Sequence, residues 1–125
     1  MTNMFDLSGR VALVSGAASG MGRSSSLALA EAGADVVLAD LNEEGTQAVA
    51  AEIAAFGRRT LPVRCDISRP EEIRSMFGRI DEQFGRIDFV ANIAGEAVRN
   101  KPEEISLDEV EWTWRNLVYG RFCMC

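Results

Sequence analysis

Histidine is absent from the 125 residues, and lysine and tyrosine occur once each, as Lys101 and Tyr119. Without an imidazole the chain lacks the commonest zinc ligand and the side chain that titrates nearest neutrality, so neither a metal site nor His-based acid–base catalysis is expected. Three cysteines, Cys65, Cys123 and Cys125, are too few and too unevenly spaced for a disulfide framework, which points to a reducing, cytoplasmic setting. Cys123 and Cys125 alone cannot complete a metal tetrahedron, and they are expected to join an apolar cluster at a helix end. No apolar run reaches the roughly eighteen residues that a membrane span needs. The opening Met1-Thr2-Asn3-Met4-Phe5 has no basic start leading into an apolar run, so no secretory leader is expected. No cysteine stands fourth from the end, which excludes a prenylation signal. Basic residues are outnumbered, 13 against 19 acidic ones for a formal net charge of −6, and that balance argues against a nucleic-acid surface.

What remains is ordinary for a globular domain: 47% apolar residues and 26% charged ones, with neither repeats nor a flexible linker. A single domain is expected over 1–125. The informative stretch is Val11 to Arg23. An apolar run, Val11 to Val14, stops at Ser15-Gly16, and Gly16, Gly20 and Gly22 precede a helix-like segment from Met21 to Ala32 that Gly33 ends. One glycine permits a tight turn out of the strand, one lets backbone approach a ligand, and one lets the helix pack closely on the sheet. Unpaired N–H groups and the positive end of the helix dipole would then face a pyrophosphate.

Asp35 to Asp40 is a short apolar run of the kind covered on both faces. Asn42 caps a second helix with Glu43 and Glu44 in its first turn and Val49, Ile53 and Phe56 among its apolar positions. A third strand, Thr60 to Cys65, contains Pro62 and is therefore assigned to a sheet edge. Ser68 to Glu71 reads as a capping box with Pro70 in the first turn, opening a helix that lines up Ile73, Met76, Phe77, Ile80 and Phe84. Asp88 to Ala91 forms the fourth strand and Asn92-Ile93-Ala94-Gly95 the turn after it. A second capping box, Ser106 to Glu109, opens the last helix. Strands alternating with helices predict an α/β fold, a Rossmann-like doubly wound parallel sheet in the order 3-2-1-4, with a crevice between strands one and four.

Asp40 ends strand two about 20 residues beyond the glycines, where a carboxylate can take both ribose hydroxyls and repel a 2′-phosphate. Ala18 and Leu41 occupy the positions that would hold a cation for such a phosphate, so NAD is favoured over NADP. Asp66 and Ile67 end strand three; they either frame an adenine or serve as turn chemistry before a helix.

Ser15-Gly16-Ala17-Ala18-Ser19-Gly20-Met21-Gly22, Asp40, Cys65-Asp66-Ile67, Asn92-Ile93-Ala94-Gly95 and Asn116 together resemble the short-chain dehydrogenase/reductase family, in family order and across most of the chain. The resemblance implies an NAD-dependent oxidoreductase that interconverts alcohols and carbonyls by hydride transfer. By it Gly16, Ser19, Gly20, Met21 and Gly22 line the pyrophosphate and nicotinamide side, and Asp40 and Leu41 take the adenosine ribose. Asp66 and Ile67 take the adenine, and Asn92, Ala94 and Gly95 the central part of the cofactor. It also implies a small-molecule alcohol or carbonyl substrate and a homo-oligomer, and gives Asn116 a place in a proton relay.

Three departures stand out. Ser15 replaces the usual threonine, Ile93 replaces the second asparagine of the turn, and the family's serine and Tyr-x-x-x-Lys have no counterpart. Tyr119 is followed four residues on by Cys123, and Lys101 precedes it. A phenol with pKa near 10 is a poor base at neutral pH without a nearby cation, so Tyr119 is expected to pack within the last helix. Without that lysine, Asn116 is equally readable as a helix asparagine with no task. The sequence is thus expected to be a piece of a longer product, a truncated reading, or an NAD-binding module without chemistry. A truncation would leave Phe89 to Asn92 as an unpaired apolar edge and the last helix short of packing.

Overall fold

The computed structural model describes residues 3–125; Met1 and Thr2, the first two residues of the stretch read as lacking a secretory leader, lie outside the described residues. Four parallel strands, β1 (Val11–Ser15), β2 (Asp35–Asp40), β3 (Thr60–Arg64) and β4 (Phe89–Asn92), lie in the order β3-β2-β1-β4. This is the order read from the sequence. β3 stands at one edge with Pro62 opposite Leu38 of β2, where a missing ladder donor is tolerated. β1 is central, with Leu13 opposite Val37 on one side and Val90 on the other.

Side chains alternate across β1 and β2, so each strand feeds two cores. Val14, Val36 and Leu38 pack with Ala30 of α1 (Gly20–Glu31) and with Val49 and Ile53 of α2 (Glu43–Ala54). Val11, Leu13 and Val37 pack on the other face with Ile73, Met76 and Ile80 of α3 (Pro70–Gln83). Those three α3 side chains are each at most 2% exposed, and burying each contributes about 1.5–3 kcal/mol. Phe77 and Phe84 of the same stripe are half-buried against that core. Phe56, read as an apolar position of α2, instead lies beyond its end and is exposed.

The two capping boxes differ. Ser106 accepts from the Glu109 N–H at 3.2 Å while Glu109 accepts from the Ser106 N–H at 2.7 Å, so the second is complete at the start of α4 (Leu107–Trp114). The first does not form. Ser68 donates its hydroxyl to Asp66 Oδ1 at 2.6 Å, and Arg69 takes the cap position of α3 without a side-chain bond. Asp66, two residues before Ser68, outcompeted the helix for that hydroxyl.

The last helix is not one continuous α-helix. Arg115–Tyr119 forms a π turn, in which the Gly120 N–H reaches the Arg115 carbonyl, and α5 (Gly120–Met124) follows. Asn116 Nδ2 donates to the Trp112 carbonyl at 3.0 Å inside the widened turn. A Cβ on Gly120 would run into the Ile67 carbonyl, so the helix rests there directly on backbone. Tyr119 does not pack; it is 56% exposed. Nor do the terminal cysteines join an apolar cluster, since Met124 is buried while Cys123 and Cys125 are exposed. β4 has no neighbour on its outer side among the described residues, and Phe89 on it is exposed, as are Trp114 and Phe122 farther along the chain. No helix among the described residues is long and apolar enough to cross a membrane.

Candidate cofactor cleft

The carboxyl ends of all four strands open into one cleft of about 370 Å³, at the point where strand order reverses between β1 and β4. Gly16 and Ser19 supply its floor, Asp40 and Leu41 one wall, Asp66 and Ile67 the far end, and Ala94, Gly95 and Asn116 the opposite wall. Nine of the sequence-predicted residues therefore come together. Gly20, Met21, Gly22 and Asn92 do not line it.

Local chemistry places each wall. Gly16 leaves β1 with φ +71°, and a Cβ on it would stand 2.9 Å from the Ala94 nitrogen, so the β1 and β4 turns meet at backbone distance. Ser15, buried at the end of β1, binds those turns together. Its Oγ accepts from the Ile93 and Ala94 N–H groups, both at 3.1 Å, and donates to the Ala91 carbonyl at 3.3 Å. Gly22 lies behind the turn, where a Cβ would collide with the Gly16 carbonyl; it sets how closely α1 approaches the strand. Gly20, by contrast, faces open space. Ser19 caps α1 in extended geometry, and its side chain makes no cap bond, leaving the hydroxyl and the helix N-terminus open to an anion. Met21 is exposed on the first turn of α1.

Asp40 bridges two backbone segments. Its Oδ2 accepts from the Ala18 N–H at 3.0 Å and its Oδ1 from the Asn42 N–H at 2.9 Å, which fixes the carboxylate and leaves lone pairs for a further donor. Asn42 then caps α2 through the Gly45 N–H at 2.9 Å. Asp66 accepts from the Ser68 N–H and hydroxyl through one oxygen, the turn chemistry that was one of its two readings, while still lining the cleft.

Asn92 faces away from the cleft, with Nδ2 3.4 Å from the Arg121 carbonyl and Oδ1 buried without a partner. Asn116, 8% exposed, reaches the cleft from the π turn. Three further residues line the cleft, Cys65, Ile93 and Glu96. Cys65 and Ile93 adjoin the predicted Asp66 and Ala94 in the sequence. Burial holds the Cys65 thiol far from ionisation, pushed up to about 11.

Residues 16–125 match the family model described as enoyl-(acyl carrier protein) reductase. The chain is 37% identical over 121 residues to a D-threitol dehydrogenase of Mycolicibacterium smegmatis, covering 97% of this chain and 46% of that protein. A short-chain type dehydrogenase/reductase from Mycobacterium marinum superposes with a TM-score of 0.92 at 37% identity, over 97% of this chain and 48% of that one. A 7α-hydroxysteroid dehydrogenase solved with NADH and 7-oxo glycochenodeoxycholic acid superposes with a TM-score of 0.91 at 28% identity, over 99% and 49%. The chain spans about half the length of the first curated relatives it matches.

Proposed function

The chain belongs to the short-chain dehydrogenase/reductase family, and on that footing we propose that it is the NAD-binding portion of an oxidoreductase acting on a small alcohol or carbonyl compound. The bound NAD would supply the hydride acceptor. The observation that carries the reading is the fixed carboxylate of Asp40, tied to the glycine turn by the Ala18 N–H and standing in the cleft wall.

Gly16, Ser19 and Gly20 would receive the pyrophosphate at the start of α1, with Met21 and Gly22 completing the turn behind it. The open space at Gly20 and the uncommitted Ser19 hydroxyl suit an anion there. Asp40 and Leu41 would hold the adenosine ribose, and no cation among them favours a 2′-phosphate, which supports NAD over NADP. Asp66 and Ile67 would border the adenine. Ala94 and Gly95 would border the central and nicotinamide part, with Asn92 bracing their turn from behind. Asn116 would stand beside the nicotinamide end as the family's relay asparagine.

Among the described residues, no tyrosine–lysine pair faces the cleft. Tyr119 is exposed and does not line it, and no lysine follows it at the fourth position. That arrangement supports a division in which these residues bind NAD while the proton-transfer groups lie outside the sequence, and it equally favours a second reading as a non-catalytic NAD-binding module. Thermal unfolding with and without NAD tests the binding role common to both. Saturating NAD is expected to raise the midpoint of the 125-residue chain and to leave that of Gly20→Val unmoved. No shift in the unmodified chain overturns both readings.

A further inference from the structure

We propose that Glu96 makes the cleft discriminate between the two redox states of its dinucleotide, favouring the oxidised one. The inference rests on the NAD reading above. Three carboxylates line the cleft, Asp40, Asp66 and Glu96, and no lysine or arginine is among its described lining residues. They differ in what already holds them. Asp40 accepts two backbone N–H groups and Asp66 accepts from Ser68, and both lie on the β2–β3 side, where the adenosine half would sit. Glu96 is exposed on the β4 side, directly after Gly95 and lining the cleft with Asn116, where the nicotinamide half would sit. Arg121, whose Nε donates to the Ala94 carbonyl at 3.3 Å, is not a lining residue.

The two redox forms carry the same pyrophosphate charge and differ in the ring. The oxidised nicotinamide is a cation, whereas the dihydronicotinamide is neutral. A carboxylate at that end therefore attracts one form and is nearly indifferent to the ring of the other, while its repulsion of the pyrophosphate is common to both and cancels in their ratio. In a partly exposed cleft, a unit charge several ångströms away is worth about a threefold difference in affinity, and salt screens it. By linkage, stronger binding of the oxidised form poises the bound couple toward it, as suits a site that starts from NAD.

Glu96→Gln removes the charge and keeps the shape. Calorimetric titration of the 125-residue chain with the oxidised and the reduced dinucleotide, before and after the substitution, reads the effect without any turnover. The ratio of the dissociation constant of the reduced form to that of the oxidised form is expected to fall about threefold in Glu96→Gln, and the difference to shrink in about 1 M salt. An unchanged ratio with both forms still bound overturns the role of Glu96 and leaves the dinucleotide cleft standing. Failure of the unmodified chain to bind either form overturns both together.

Discussion

Asp40 Oδ2 accepts a hydrogen bond from the backbone N–H of Ala18 at 3.0 Å, so the carboxylate that ends β2 is tied to the glycine turn that follows β1. The second oxygen is held by the N–H of Asn42, the α2 cap, at 2.9 Å. Two features that lie 22 residues apart in sequence are therefore one structural unit. Asp40→Asn tests that unit. An amide offers one acceptor and turns a donor toward the other N–H, so one backbone donor loses its partner at a cost of about 1–3 kcal/mol. Chemical unfolding is expected to show that loss, and NADP is expected to gain on NAD as the negative charge disappears.

The two glycines of the turn should separate folding from binding. Gly22→Ala drives a methyl into the Gly16 carbonyl, and the overlap is expected to cost about 1–3 kcal/mol or more, or to prevent folding. Gly20→Ala meets no atom within 4 Å, though its φ of +54° strains any residue with a Cβ by about 1–2 kcal/mol. Denaturation midpoints and NAD titrations on the two variants check the contrast: folded but weakened in NAD binding for Gly20→Ala, destabilised for Gly22→Ala.

Acid stability should depend on Asp88, which ties the start of β4 to β1. It accepts from the Val11 N–H at 2.8 Å, from Arg86 at 2.6 and 3.0 Å, and from Arg10 at 3.4 Å. The Arg86 guanidinium above all, with the Val11 N–H, lowers its pKa to about 2. A lowered folded-state pKa contributes stability that is complete above the unfolded value of about 3.9 and is lost as pH falls toward 2. Asp88→Asn is expected to destabilise the chain at pH 7 and to flatten its stability between pH 4 and 2, as followed by denaturant unfolding at several pH values.

The outer edge of β4 should promote association. Phe89 is 52% exposed on a strand with no outer partner among the described residues. Such an edge is a template for pairing, and a charge on it is the usual protection. Sedimentation is expected to show mass rising with concentration for the unmodified chain, and less so for Phe89→Lys. A concentration-independent monomer would count against that edge as an association surface.

Most of the sheet was legible in the sequence because its signals were local and mutually consistent. Pro62 marked an edge, β-branched runs marked doubly covered strands, and the glycine turn marked the switch point. What escaped was decided by competition between neighbours. Ser68 had two places to put its hydroxyl, and Asp66, two residues away, outcompeted the helix cap. The π turn left no mark in composition, because an extra residue in a helix is registered only where Gly120 must meet the Ile67 carbonyl and Asn116 must reach the cleft. Tyr119 reads as a core aromatic by type, yet it is the last residue of the π turn and faces solvent. Within the cleft, Gly16, Asp40, Asp66 and Gly95 line it as read from the sequence, whereas Gly20 and Asn92, of the same residue types, do not.

The most direct measurement is calorimetric titration of the unmodified 125-residue chain with NAD and with NADP in the same buffer. One NAD per chain is expected, bound about tenfold or more tightly than NADP if Asp40 faces the 2′ position as proposed. Equal affinities, or no heat from either, would contradict the claim that the cleft at the ends of β1, β2 and β4 is built for NAD.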